Sequence, residues 1–310
     1  MNTPLLLIHF NRPDCTRRQL EALQQIAPKR VWVLCDGARK ECRGESERVQ
    51  SVRLQLSHLP WKCQVIELYR VENLGVCQNI ASGISWFLGQ VEEGIILEDD
   101  CIPSPSFFTF SSEMLARYRS DRSVFTISGY TGKPSELEID GSYCFSNYFA
   151  CWGWATWKRA WDCYDSEMCG FCDSQEWKLI RHRMHPTLRQ RLYWKIIFNR
   201  ILDGKTDSWA YRMQLSIWKQ QALSIFPKFN LVENTGFTND ATNTAGLNAL
   251  QVRRAAIQFP LIHPELVKAD GHVDRWFEDH IHSKSLLVRL KWIMNKLRLH
   301  LCIKSEQREQ

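Results

Sequence analysis

Short apolar runs alternate with helical stretches through the first hundred residues. Val31 to Leu34 and Ile95 to Leu97 are continuous apolar runs of the kind that form buried strands. The predicted strands are 4–10, 30–35, 64–69 and 94–97, and the helices between them are 13–26, 45–59 and 76–88. Strands that alternate with helices in this way form parallel pairs with crossover helices. The pattern therefore predicts an α/β fold with a doubly wound, mostly parallel sheet.

The second half of the chain has a different pattern. It predicts helices at 107–118, 174–202 and 207–220 and strands at 124–128 and 223–229. Pro227 indicates that the last strand lies at a sheet edge, because proline cannot donate to the ladder. Tyr148 to Trp157 is predicted as an aromatic-rich loop, and Thr235 to Gly246 as a flexible polar loop. This half is therefore expected to be helical and rich in aromatic residues.

The tail carries an amphipathic pattern. One helical face is apolar and consists of Leu286, Leu290, Ile293, Met294 and Leu297. Basic residues flank that face on both sides: Lys284, Lys291 and Arg298 on one, Arg289 and Lys296 on the other. This pattern is typical of a helix that lies on an anionic membrane surface, here over 284–301. A helix docked on the core with a basic rim has the same pattern, so both alternatives stay open.

Composition narrows the class of protein. With 310 residues, 44% hydrophobic and 24% charged, the chain has enough apolar mass for one large or two modest globular domains. The net charge of +6 suits an anionic ligand or surface, but the basic residues are too dispersed to indicate nucleic-acid binding. The twelve cysteines are irregularly spaced and no secretory signal is recognisable, which favours reduced cysteines in a cytosolic protein.

Three acidic residues follow a predicted core strand. Glu98, Asp99 and Asp100 come directly after the apolar run, and Pro103 and Pro105 stop the strand from continuing. Polar residues also end two other predicted strands, at His9 to Arg12 and at Asp36. Because open α/β sheets bind ligands at the carboxyl ends of their strands, these residues predict one site. A divalent cation that itself holds a phosphate would relieve the repulsion between the acids. The alternative is an ordinary solvated turn.

Four segments of the chain are similar to a known family. They are Leu5 to Pro13, Asn73-x-Gly75-x-x-x-Asn79, Leu97 to Phe108 and Trp152 to Trp157. Over residues 4–245 the chain resembles GT-A glycosyltransferases, which have the nucleotide-diphospho-sugar transferase fold. More narrowly it resembles bacterial relatives of the N-acetylglucosaminyltransferase I family. The resemblance implies a nucleotide-sugar-binding half at 1–130, an acceptor half at 131–245 and a C-terminal helical extension at 246–310.

The resemblance also implies a metal-dependent, inverting glycosyltransferase. Mn²⁺ or Mg²⁺ would be held by Asp100 and Glu98 and would stabilise the diphosphate leaving group. The residues implied at the nucleotide-sugar site are His9, Arg12, Asp36, Asn73, Asn79 and Asp99. Arg12 is expected to contact phosphate, because a guanidinium binds phosphate bidentately. Asp36 is expected to contact the base or the ribose.

Inverting transfer needs a general base for the acceptor hydroxyl, and the resemblance points to Asp207. Asp207 also occupies a plausible helix N-cap position. Ala210 stands where related chains are expected to have an acid, so Asp203 and Asp240 remain alternatives for the base. Three tryptophans form either an apolar platform for the acceptor sugar or part of the core: Trp152, Trp154 and Trp209. The 235–246 loop is expected to close over the donor.

The acceptor is expected to be a glycan or glycolipid of surface polysaccharide synthesis, by analogy with the family. A cytoplasmic protein that contacts the inner face of the cell membrane through its tail fits that role. Two other functions stay open. A sugar nucleotidyltransferase would carry a glycine-rich loop after the first strand, and His9 to Asp14 contains no glycine. A non-catalytic module that binds a glycan or a membrane would explain the tryptophans and the tail.

Overall fold

The computed structural model describes residues 1–132, 139–169, 171, 174–183, 187–236 and 252–282. The strands are β1 Leu5–His9, β2 Arg30–Cys35, β3 Gln64–Tyr69, β4 Glu93–Glu98, β5 Cys101–Pro103, β6 Val124–Ser128, β7 Tyr143–Ser146, β8 Trp154–Trp157, β9 Leu223–Pro227 and β10 Val232–Asn234. The helices are α1 Pro13–Gln24, α2 Glu45–Ser57, α3 Val76–Leu88, α4 Pro105–Arg117, α5 Lys158–Trp161, α6 Ser174–Arg181, α7 Leu188–Leu202, α8 Trp209–Lys219 and α9 Gly271–Phe277. A π-helical turn, Glu278–His282, follows α9.

Eight strands form the central sheet, in the order β3-β2-β1-β4-β8-β6-β9-β7. The first four strands of that order are parallel, and β6 and β9 also pair in parallel. Within the described part of the chain, β8 and β7 run antiparallel to their neighbours. The structure thus confirms the predicted α/β class with a large, mostly parallel sheet.

Both faces of the sheet are covered, which is why its central strands are apolar throughout. In β1, Leu5 and Leu7 pack on one side with α1, α2 and α4. Leu6 and Ile8 pack on the other side with α3, α5 and α8. Each leucine buried in this way stabilises the fold by roughly 1.5–3 kcal/mol. The sheet is therefore doubly wound, and its strand ends emerge between the two helical layers.

Two predictions about strands in the second half are wrong. Trp154 to Trp157 is not loop but strand β8, which lies between β4 and β6 at the centre of the sheet. Strand β9 is not an edge strand, since β6 and β7 flank it. Pro227 is tolerated because it is the last residue of β9, beyond Ile225, where the pairing with β6 ends.

The predicted helix at 174–202 is divided into α6 and α7. Thr187 is the N-cap of α7, and its side-chain oxygen accepts a hydrogen bond from the backbone N–H of Gln190. The sequence places Pro186 just before this cap, where its missing N–H cannot support a continuous helix. The helical period therefore predicts the two helices but not the break between them.

A second, two-stranded sheet brings the end of the described 187–236 segment to the acidic turn. Strand β10 pairs antiparallel with β5, with Asn234 opposite Cys101. Of the predicted 235–246 loop, only Thr235 and Gly236 lie within the described residues, and Asp240 lies outside them. The predicted tail helix at 284–301 also lies outside them.

The described part of the C-terminal extension contributes to the core of the molecule. Ile257 and Leu261 pack on the α1, α2 and α4 side of the sheet. Val273 and Phe277 of α9 belong to a third core cluster, together with residues of α7 and α8. Among the described helices, none is both long and apolar enough to cross a membrane.

Candidate functional site

The site lies where β1, β2, β3 and β4 end side by side. Its centre is an ion-pair cluster that joins the end of β1 to the end of β4. The Nε atom of Arg12 donates to Oδ2 of Asp99 at 3.0 Å, and Nη2 donates to Oδ1 of the same carboxylate. The Nη2 atom also donates to Oδ2 of Asp100 at 3.1 Å. The guanidinium thus forms a bidentate pair with one acid and bridges to the next.

Burial and charge oppose each other in this cluster. Burial is the largest influence on both acids and raises the pKa of Asp99 and of Asp100, while Arg12 counteracts it. Burial acts to lower the pKa of Arg12, but Asp99 and Asp100 together hold it above its ordinary value. One fixed positive charge therefore offsets only part of the cost of burying two closely spaced carboxylates, and the pKa of each stays raised.

Glu98, the last residue of β4, has a different environment. Its neighbour on the same strand face is Ile96, which packs on the α3 side of the sheet. The half-buried Glu98 carboxyl makes no side-chain hydrogen bond to the described residues. Burial raises its pKa to about 8, and the charges of Asp100 and Asp99 raise it further than Arg12 lowers it. A cation bound beside this carboxyl would favour its ionised form.

Helix α1 holds the acidic turn from behind. The side-chain nitrogen of Gln19 donates to the carbonyl oxygens of Glu98 at 2.6 Å and Cys101 at 2.8 Å. Its Oε1 lies 3.0 Å from Nε2 of His9. The other ring nitrogen of His9 lies 2.9 Å from the hydroxyl of Thr16. Two backbone carbonyls of the turn are thus fixed by one buried amide.

His9 therefore does not have the predicted place at the nucleotide site. Both of its ring nitrogens are engaged by α1, and burial lowers its pKa to about 3, so that the ring is neutral. The prediction missed Gln19, but the sequence carried a signal. Thr16 and Gln19 share the buried face of α1 with Leu20 and Leu23, and two polar residues on an apolar stripe require partners.

Asp36 also turns inward. Its carboxylate accepts hydrogen bonds from the backbone N–H groups of Gly37 at 2.9 Å, Leu74 at 3.0 Å and Gly75 at 3.2 Å. The side chain of Asn73 donates a fourth at 3.1 Å. Burial raises the pKa of Asp36 and these backbone bonds lower it again. Four donors occupy the carboxylate, so the expected contact with a base or ribose is corrected to a structural role.

Asn73 and Asn79 flank the start of α3. Besides Asp36, the side chain of Asn73 donates to the carbonyl oxygen of Gly37 at 2.8 Å, which ties the β2 end to the segment before α3. Gly37 suits this close approach, since a Cβ there would overlap the backbone of Glu72. Asn79 is buried in the first turns of α3, and its Oδ1 has no hydrogen-bond partner among the described residues. Its predicted ligand contact stays a prediction.

Asp207 comes from the second half of the chain and reaches the N-terminus of α3. Its Oδ2 accepts a hydrogen bond from the backbone N–H of Cys77 at 3.3 Å. Asp207 is exposed, and the positive end of the α3 dipole stabilises its negative charge. The N-cap of α8 is Ser208, whose hydroxyl accepts from the N–H of Tyr211, so the alternative that Asp207 is the cap is wrong. Asp203 instead pairs with Lys205 at 2.8 Å.

Two of the three predicted acceptor tryptophans are core residues. Trp154 and Trp209 are both buried and stack with ring centroids 5.6 Å apart. Trp154 cannot form a platform because it belongs to the central strand β8, opposite Ile96. Trp152 is half-buried and packs edge-on against Tyr130 at 4.7 Å. Of the three, Trp152 is the one that stays a candidate for contact with an acceptor.

A buried glutamate connects two loops of the site and was missed. Glu45, at the start of α2, accepts hydrogen bonds from the side chain of Asn11 at 2.8 Å and the backbone N–H of Arg39 at 2.7 Å. The Arg39 guanidinium is the main reason that the pKa of Glu45 falls to about 2, and burial opposes this effect. The loops after β1 and β2 are thereby held together. Nothing in the local sequence pattern of Glu45 indicates this partner.

The acidic turn also has a close neighbour from β10. The N–H of Thr235 donates to the carbonyl oxygen of Asp100 at 2.8 Å. A Cβ at Gly236 would overlap the Asp100 carboxylate, lying 2.9 Å from its Cγ. A residue with a Cβ at this position would have to displace the Asp100 carboxylate. The segment predicted to close over a donor begins in direct contact with the acidic turn.

The acidic turn has the donor chemistry of a hard-cation site but too few donors to form one alone. Within the described residues there is no group of three or more His, Cys, Asp or Glu side chains that could hold a metal ion. Carboxylate oxygens are the ligands that Mg²⁺ prefers, and such ions commonly take one or two carboxylates plus phosphate and water oxygens. Asp100 and its neighbours fit a cation shared with a phosphorylated ligand.

Comparison with known proteins gives remote structural similarities. No family model and no curated protein matches the chain. A mannosyltransferase from Pyrobaculum calidifontis, in complex with GDP-Man and Mn²⁺, is 12% identical, with a TM-score of 0.35 over 71% of this chain and 70% of that one. UDP-glucose pyrophosphorylase in complex with UDP-glucose is 8% identical, with a TM-score of 0.38 over 74% and 94%. The apo form of UDP-glucose pyrophosphorylase is 9% identical, with a TM-score of 0.38 over 76% and 93%. Similarities at this level identify no residue of the site.

Proposed function

We propose that this protein is a metal-dependent, inverting glycosyltransferase that uses a nucleotide-diphospho-sugar. The acceptor would be a hydroxyl group of a glycan or glycolipid. The observation that carries the proposal is the cluster of Arg12, Asp99 and Asp100 at the carboxyl edge of a parallel sheet, where such folds bind ligands. The motifs shared with GT-A glycosyltransferases, including Glu98-Asp99-Asp100, support the same function.

In this proposal Asp100 and Glu98 hold Mn²⁺ or Mg²⁺, which when bound supplies positive charge for the diphosphate leaving group. Arg12 already lies beside Asp100 and offers N–H donors to the same phosphate oxygens. A bound cation would favour the ionised form of Glu98 and so oppose the burial that raises its pKa. Trp152 contacts the acceptor.

Asp207 is the proposed general base. As the acceptor oxygen bonds to the anomeric carbon, the bond from that carbon to the diphosphate breaks, and the acceptor proton passes to Asp207. The N–H of Cys77 holds Oδ2 of Asp207 in place. Asp207 stays exposed, as a base that meets an incoming acceptor must. The proposed place of this reaction is surface polysaccharide synthesis at the inner face of the cell membrane.

The first experiment is a thermal unfolding series with nucleoside diphosphates, each with and without Mn²⁺. A ligand at 100 times its Kd stabilises a protein by about 2.7 kcal/mol, which is a measurable increase in Tm. We expect a Mn²⁺-dependent increase with one nucleotide, and its loss in Asp100→Ala. Asp162→Ala is the matched control, because Asp162 is an exposed acid that pairs with Lys158.

The proposal fails if no nucleotide changes the Tm of the folded protein, or if Asp100→Ala responds to Mn²⁺ as the native chain does. The first outcome would favour a non-catalytic binding module. Incubation with a nucleoside triphosphate and a sugar phosphate distinguishes the remaining alternative. Release of pyrophosphate there would identify a sugar nucleotidyltransferase.

A further inference from the structure

Helix α7 exposes apolar side chains to solvent. Leu188 is 82% exposed, Leu192 56%, Leu202 42% and Ile196 38%. At 3.6 residues per turn, these four positions fall within about 120° of the helix circumference. The opposite side of α7 is buried in the third core cluster through Trp194, Ile197, Phe198 and Ile201. The helix is thus apolar on two sides, and contiguous exposed apolar surface of this kind is typical of an interaction site.

The exposed side of α7 is also positively charged. The helix contains four basic residues and no acidic residue, and the side chains of Lys195 and Arg200 are exposed. Among the described residues, three acids lie next to α7: Asp203, Asp279 and Glu278, of which Glu278 is buried against Trp194. Asp203 pairs with Lys205 at 2.8 Å, and Asp279 accepts a hydrogen bond from Gln190 at 3.3 Å. An apolar stripe with cationic flanks matches the interface of an anionic lipid layer.

The same helix is connected to the proposed catalytic base. Arg200 holds the loop after α7, since its Nε donates to Thr206 at 3.2 Å and its carbonyl oxygen accepts from the N–H of Lys205 at 2.8 Å. Thr206 is followed directly by Asp207. The hydroxyls of Tyr193 and Tyr211 lie 3.2 Å apart and join α7 to α8. A surface in contact with α7 is therefore next to the loop that presents Asp207.

We propose that the outer face of α7 binds an anionic lipid surface, so that a lipid-borne acceptor reaches Asp207 from that surface. The statement about the acceptor rests on the proposed function, whereas binding of α7 to lipid does not. Charge distinguishes the possible occupants of this face. In a symmetric pair of α7 helices, two basic faces would meet. The 284–301 tail carries five basic residues of its own and would likewise repel α7.

The test is co-sedimentation of the full chain with phosphatidylcholine vesicles, with and without phosphatidylglycerol. We expect binding only to the vesicles that contain phosphatidylglycerol. The variant L188S/L192S/I196S should bind them at least tenfold more weakly, with an unchanged thermal unfolding curve. Leu54→Ser is the matched control, because Leu54 is a 61% exposed leucine on α2. It should bind as the native chain does.

The tail requires a separate variant, since it has its own amphipathic pattern. L290E/I293E should weaken vesicle binding but leave it sensitive to the α7 substitutions. The proposal is wrong if the α7 variant binds vesicles like the native chain. It is also wrong if the native chain is a dimer that the α7 variant dissociates. If the native chain binds vesicles but no nucleotide changes its Tm, the α7 proposal stands and the proposed function fails.

Discussion

Gln19 shows how one residue decides the shape of the acidic turn. Its two amide protons go to the carbonyl oxygens of Glu98 and Cys101, so its oxygen must accept from Nε2 of His9. His9 can donate there as a neutral ring, and its low pKa keeps it neutral at physiological pH. Helix α1 therefore positions the backbone that carries Glu98 and Asp100, and it does so through the buried side chain of Gln19.

Replacing Gln19 by leucine should leave these two carbonyl oxygens and Nε2 of His9 without that partner. We expect a loss of unfolding free energy of about 2–3 kcal/mol, because buried polar groups would be unsatisfied. Mn²⁺-dependent nucleotide affinity should fall about tenfold. Chemical denaturation and nucleotide titration measure the two effects. Gln24→Leu, an exposed change on the same helix, should have neither effect, and equal results for both variants would refute the positioning role.

At the scale of elements, α9 is attached to the second half through buried acids. Asp274 accepts hydrogen bonds from the hydroxyl of Ser146 at 2.6 Å and the backbone N–H of Asn147 at 3.0 Å. Glu278 is fully buried and accepts from Nε1 of Trp194 at 2.9 Å and from the hydroxyl of Tyr148. Helix α9 and the π-helical turn after it are thus held by a polar network as well as by the apolar contacts of Phe277.

This attachment should make stability depend on pH. Burial raises the pKa of Glu278 from 4.5 to about 7, the hydrogen bonds from Tyr148 and Trp194 counteract it, and Asp279 and Asp274 add to it. The folded chain then holds a proton that the unfolded chain releases above pH 4.5. The unfolding free energy therefore falls as pH rises through this window, by on the order of 3 kcal/mol once the pH exceeds 7.

Glu278→Gln keeps both acceptor contacts but cannot ionise. We expect its unfolding free energy to change less than that of the native chain between pH 5.5 and pH 8.5. Urea denaturation at both values measures the difference. Equal pH dependence in the two proteins would show that Glu278 has no such role.

At the scale of the whole molecule, the two halves meet beside the site through α3 and α8. Trp209 and Met213 of α8 pack in the same cluster as Ile80 and Ile84 of α3. The guanidinium of Arg212 lies 3.0 Å from the sulfur of Cys77, next to the contact between Cys77 and Asp207. The position of the proposed base thus depends on how α8, from the second half of the chain, packs on α3, from the first.

Asp207→Asn retains an oxygen for the Cys77 N–H but removes the base. Once a donor is known, we expect kcat to fall by about 10²–10⁴ with little change in nucleotide Kd. Steady-state transfer assays and nucleotide titration separate the two quantities. Asp162→Asn is the control for an exposed acid elsewhere. Loss of kcat in Asp203→Asn but not in Asp207→Asn would assign the base to Asp203 instead.

The first hundred residues were predictable because their elements are simple. Helix α3 and strands β2 and β3 have the bounds that the pattern predicts. Strand β8 was missed since its four residues are too few to show a period and two of them are tryptophan. The edge position of β9 was also predicted wrongly. The position of a strand in a sheet depends on residues far away in the chain. A single proline in the strand does not indicate that position.

The local pattern of the chain specifies the α/β class, the helical layers and the sheet edge where polar residues gather, because apolar period and strand direction are local properties. Which polar side chains turn inward depends on long-range packing. The partners that decide it are distant: Gln19 and Glu98 are 79 residues apart, Asp36 and Leu74 are 38, and Cys77 and Asp207 are 130. A polar side chain can be buried only where hydrogen-bond partners surround it. Those partners come from distant parts of the chain and are brought together by packing.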